Sequence, residues 1–104
     1  MASEKNFENK VKKFLKDNNI FYVKYLGCDF TEAGIPDLLV CYKGRFIGIE
    51  LKAENGRPTD LQLYKIKKIR ESGGVGFVLY PHDFDTFKEC IKVNNFDILV
   101  KKLD

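Results

Sequence analysis

Apolar and polar residues alternate along this chain at two different periods, and the switches between them mark out its elements. Phe7, Val11, Phe14 and Leu15 recur at spacings of three and four, one apolar stripe that predicts a helix from about Glu4 to Asp17. Asn18-Asn19 ends it, and Ile20 to Leu26 reads as a strand. Gly27 to Pro36, with two glycines and a proline, is an irregular connection. Asp37 to Tyr42 and Arg45 to Lys52 are strand-like. Lys43-Gly44 between them reads as a tight hairpin turn, since glycine supplies the positive φ such turns need. Glu54 to Pro58 is a loop. A second helix is expected from Thr59 to near Ser72-Gly73-Gly74, then a strand at Val75 to Tyr80 and a third helix, capped by Asp83, to about Val93. A terminal strand near Phe96 to Val100 follows. The order αβββαβα, with that last strand added, predicts an α/β fold in which a mixed β-sheet is flanked by helices.

The hairpin carries the chemistry. With a two-residue turn at Lys43-Gly44, the residue numbers of every cross-strand pair sum to 87, and Asp37 falls opposite Glu50. Side chains alternate faces, so Asp37, Leu39 and Cys41 share a face with Phe46, Gly48, Glu50 and Lys52. Opposed residues have Cβ atoms about 4.5–5.5 Å apart, close enough for two carboxylates to reach one ion. Like charges placed opposite each other destabilise a sheet; Lys52 offsets part of that repulsion and a divalent cation would offset more. Oxygen ligands suit Mg²⁺ or Mn²⁺ rather than zinc. Such an ion polarises a phosphodiester and activates water, and Lys52 could stabilise charge developing on the phosphate. The competing reading is a surface salt bridge at a sheet end, worth little. Against it, Glu50 and Lys52 interrupt an otherwise apolar strand, where isolated charges are costly. A three-residue turn or a bulge would instead put Asp37 and Glu50 on opposite faces.

Bulk properties narrow the setting. A chain of 104 residues with 44% hydrophobic content fits one compact domain, residues 1–104. Cys28, Cys41 and Cys90 are odd in number and scattered, which argues against a disulfide framework and a structural zinc site. The first residues lack an apolar signal core and no apolar run is long enough to cross a membrane, so a soluble cytoplasmic protein is expected. The net charge of +3 permits a nucleic-acid partner without requiring one.

Gly34-Ile35-Pro36-Asp37 followed by Glu50-Leu51-Lys52 resembles the PD-(D/E)XK nuclease signature. With Gly56, Thr59 and Gln62 downstream and a helix-then-strand tail, the stretch from about Glu8 to Tyr80 is similar to the VRR-NUC family of that superfamily. The resemblance implies a restriction-endonuclease-like core and a metal-dependent DNA endonuclease. Asp37 and Glu50 would be metal ligands with the Leu51 backbone carbonyl, and Lys52 the catalytic lysine. Glu8 would be the first helix's acidic residue, catalytic or metal-binding, and Gln62 the glutamine on the helix after the catalytic strand. Stand-alone members of this size resemble phage and bacterial enzymes that act as homodimers on branched DNA, especially four-way junctions. No organic cofactor is implied.

Several of these residues have plainer readings. Periodicity alone places Glu8 at the edge of the apolar stripe, on a solvated flank. Gln62 lies three residues after Thr59, so Thr59-Asp60-Leu61-Gln62 is also a capping box. The lysines of both helices are for the most part solvated faces. Lys24, Arg57, Lys65 and Lys68 are the cations assigned to DNA phosphates, contacts that give affinity but no sequence reading. His82 reads as a surface turn residue without partners for a triad or a zinc site. The rival function is a non-catalytic DNA-structure-binding protein of the same fold, and a second rival is a small interaction module.

Overall fold

The computed structural model describes residues 3–102, so the two residues at each end of the expected 1–104 domain lie outside it. The first helix, α1 (Glu4–Asp17), forms where the apolar stripe predicts it. Ser3 Oγ accepts the Asn6 N–H at 3.0 Å, satisfying one of the free donors of the first turn. Asn19, in a left-handed conformation that asparagine tolerates, turns the chain out of the helix. Strand β1 (Phe21–Lys24) follows, shorter than the expected Ile20 to Leu26.

The hairpin of β2 (Leu38–Tyr42) and β3 (Arg45–Leu51) turns at Lys43 (φ 49°) and Gly44 (φ 80°), the two positive φ values of a two-residue turn. Its register runs from Tyr42↔Arg45 to Leu38↔Ile49, with no bulge, as the two-residue turn requires. Helix α2 (Asp60–Glu71) then carries the chain to β4 (Val75–Leu79), which lies parallel to β3. The sheet order among the described residues is β1-β2-β3-β4, antiparallel across the first three strands. The fold is thus mixed α/β, a mixed sheet flanked by helices.

The two faces of the sheet are packed differently. Leu38, Val40, Ile47, Ile49, Leu51, Phe77 and Leu79 point into the main core with Phe7, Val11 and Leu15 of α1. The opposite face receives α2. It comes close because glycines leave room: a Cβ on Gly48 would lie 2.7 Å from Ile69 Cδ1, and one on its neighbour Gly76 3.1 Å from Ile66.

Two expectations fail at the C-terminal end. Asp83 holds the N-cap position of α3 (Phe84–Val93) after a 3-10 turn at Pro81–Asp83, but its side chain caps nothing. It is buried and paired with Lys102 instead. The expected strand at Phe96 to Val100 is instead a short helix, α4 (Asp97–Lys101). Asn95 Oδ1 accepts the Asp97 N–H at 2.9 Å and starts the turn. Phe96 and Leu99 are buried while Ile98 is 59% exposed, a spacing of three that a strand could not satisfy. The element order therefore ends on helix. No helix among the described residues is long and apolar enough to cross a membrane.

Candidate active site

Asp37 is the residue just before β2, and Glu50 is the penultimate residue of β3. Continuing the hairpin register by one step sets them opposite each other. The step alternates hydrogen-bonded and non-bonded pairs outward from the two-residue turn, and Asp37–Glu50 falls in the non-bonded class, whose side chains stand closest. Asp37 is fixed from two sides. Its Oδ2 accepts the Leu51 N–H at 2.8 Å, and its backbone carbonyl accepts the Tyr25 N–H at 2.8 Å.

Pro36 and Gly34 explain how the chain reaches this position. Gly34 has φ +81°, and a Cβ there would lie 2.7 Å from Leu61 Cγ, so only glycine fits. The next register partner of Leu51 is Pro36, which has no N–H to donate. In a strand the N–H and C=O of one residue point to the same side, so the Leu51 carbonyl is directed toward the chain segment at Pro36 and Asp37.

Glu50 is 2% exposed, and its Oε2 lies 3.3 Å from Lys52 Nζ. Burial, reinforced by the Asp37 carboxylate, pushes its carboxyl up to about 8 despite the Lys52 ammonium. At this end of the sheet the buried Glu50 carboxyl and the half-buried Asp37 carboxylate thus lie beside the Lys52 ammonium.

Glu8 is not the flank residue that periodicity places in solvent: it is 5% exposed. Lys24 Nζ donates to its Oε1 at 2.8 Å and reaches on to Asp37 Oδ1 at 3.4 Å, which links the first helix to the hairpin end. Burial alone would push Glu8 up, but hydrogen bonds from Lys24 and Lys12 hold it below the ordinary carboxylate range. Lys24 is pushed down by burial and then held above its ordinary value by Glu8 and Asp37. The sequence assigned Lys24 to DNA. The signal for its true neighbours lay in the β1–β2 register, where Lys24 pairs with Leu38 beside Asp37.

The structure brings Asp37, Glu50, Leu51 and Lys52 together directly, and Glu8 to them only through Lys24. Gln62 completes a capping box: Thr59 Oγ1 accepts its N–H at 3.1 Å and its Oε1 accepts the Thr59 N–H at 2.9 Å. Of the cations assigned to DNA, Lys65 pairs with Glu32 at 2.7 Å and Lys68 with Glu71 at 3.4 Å. Arg57 is exposed on the 53–58 loop, which Tyr80 holds by donating its hydroxyl to the Gly56 carbonyl at 2.9 Å. His82 is exposed as expected but not alone: it stacks on Tyr80, and its Nδ1 lies 3.1 Å from Glu54.

Among the described residues no three His, Cys, Asp or Glu side chains group closely enough to hold a metal. The donors that fit an ion are two carboxylates, Asp37 and Glu50, with the Leu51 carbonyl as third oxygen. Such an all-oxygen set suits a hard divalent cation. No protein-family model, no curated protein and no solved structure matches this chain.

Proposed function

We propose that this protein is a Mg²⁺- or Mn²⁺-dependent endodeoxyribonuclease with a restriction-endonuclease-like core, cutting branched DNA as a homodimer. The observation that carries the reading is the buried Glu50 carboxylate facing Asp37 at the open end of the hairpin, with Lys52 3.3 Å from Glu50. A buried acid set opposite a second one is unfavourable unless a proton or a cation is held between them, and an ion at Asp37 and Glu50 would take that place.

Asp37, Glu50 and the Leu51 carbonyl would hold the ion. The bound ion supplies Lewis acidity at the scissile phosphate. Lys52 keeps its ammonium beside that position, where it stabilises negative charge gathering on the phosphate oxygens. Leu51 N–H fixes the Asp37 carboxylate, so the ligand needs no reorientation. Gln62 acts through the cap, fixing the start of α2 against the loop that carries Arg57. Arg57, exposed on that loop, would take a DNA phosphate. Two centres in a homodimer would cut both strands of a junction. The resemblance of Gly34 to Asp37 and Glu50 to Lys52 to the VRR-NUC pattern supports the substrate class.

Labelled four-way junction, flap and linear duplex DNA, each incubated with Mg²⁺, Mn²⁺ or EDTA, test the reading. Cutting with either metal and none in EDTA is expected, fastest on branched DNA. Intact DNA on every substrate with well-folded protein would leave the DNA-binding alternative.

A further inference from the structure

Glu8 sits among three ammonium groups. Lys24 Nζ is 2.8 Å from Oε1, while Lys12 and Lys5 lie 3.3 and 3.4 Å from Oε2, so both carboxylate oxygens are engaged. The arrangement is built rather than incidental: Glu8 is 5% exposed, and Lys24 comes from a strand of the sheet, sixteen residues away.

Lys24 also reaches Asp37 Oδ1 at 3.4 Å. One ammonium thus lies between two carboxylates from different elements, which is where a cation bridging Glu8 and Asp37 would have to sit. A divalent ion brought there would meet Lys24 itself, with Lys5 and Lys12 on the far oxygen, and like charges at such distances repel strongly in a partly buried site. The other side of Asp37 is different. There Glu50 faces it, and among the described residues Lys52 is the one ammonium within ion-pair distance of Glu50.

We infer that Lys24 is a built-in cation occupying the position of a second metal, so that the centre takes a single divalent ion at Asp37 and Glu50. Glu8 is then a positioning residue that holds Lys24, and not a metal ligand. This rests on the metal-dependent reading above and adds to it the number of ions and the task of the first-helix acid.

The test is Mn²⁺ titration of the full chain by calorimetry, with free Mn²⁺ counted by electron paramagnetic resonance and folding checked by circular dichroism. Wild type takes up one Mn²⁺. Glu8→Gln takes up one with affinity within about threefold of wild type. Lys24→Met, which keeps the length of the side chain and removes its charge, takes up two. Two ions in wild type, a tenfold or greater loss of affinity in Glu8→Gln, or a single ion in Lys24→Met each overturns the inference and leaves the nuclease reading standing. No uptake by wild type overturns that reading, and the inference with it. Should Glu8→Gln fail to fold, the counts for wild type and Lys24→Met decide alone.

Discussion

Leu51 donates its backbone N–H to Asp37 Oδ2 at 2.8 Å, across the open end of the hairpin where the strand ladder has already stopped. The carboxylate replaces the carbonyl acceptor that a further residue of β2 would have offered. Asp37→Asn retains an oxygen for this bond and removes the repulsion with Glu50. It should melt at or above wild type in EDTA while losing Mn²⁺ binding. Asp37→Ala strands the N–H and should lose about 1–3 kcal/mol. Equal destabilisation by the two substitutions in thermal melts would contradict this role.

Glu50 gives the metal-free protein a characteristic dependence on pH. Its carboxyl is raised from 4.5 to about 8, so between those values the folded state keeps a proton that the unfolded state releases. Stability should therefore fall as pH rises through this window and level off above it. Glu50→Gln removes that contribution. In EDTA at pH 8 it should exceed wild type by roughly 1 kcal/mol or more, several degrees of Tm, and the gap should close toward pH 4.5. A gap that does not vary with pH would show that Glu50 is not held protonated.

Gly34 leads into Asp37 with φ +81° and no room for a Cβ beside Leu61. Gly34→Ala should cost about 1–3 kcal/mol from backbone strain alone. Gly27→Ala, at a position with nothing within 4 Å of the added carbon, should melt with wild type. Comparable losses at both sites would remove the argument from shape.

The capping box at the head of α2 separates two roles for Gln62. Thr59→Ala should lower stability by about 1 kcal/mol. Gln62→Glu keeps the acceptor for the Thr59 N–H and should retain both Tm and cleavage rate within a few-fold. A normal melt with cleavage lost would show that the amide acts at the centre itself.

Much of this was legible in the sequence, for local reasons. Lys43-Gly44 admits a two-residue turn, and that turn fixes which face every residue of the hairpin takes; the Asp37–Glu50 juxtaposition followed by arithmetic. The stripe through Phe7, Val11 and Leu15 gave α1 to the residue. What failed depended on contacts distant in the chain. Glu8 reads as a flank residue until Lys24 is brought across to it. Lys24 reads as a free cation until β1 pairs with β2. Asp83 looks like a cap because its partner, Lys102, is nineteen residues further on. The segment at Phe96 was ambiguous because a short apolar run fits either period, and the Asn95 side chain decides for helix.

Lys52→Ala separates a phosphodiester-cleaving centre at Asp37, Glu50 and Lys52 from a surface that only binds DNA. Cleavage and binding should be measured on the same four-way junction, with Mg²⁺ for cutting and EDTA for binding. Cleavage should fall by at least about 100-fold, as expected for loss of a group stabilising transition-state charge, while junction affinity stays within a few-fold. Cleavage that persists at the wild-type rate in the mutant would contradict such a centre.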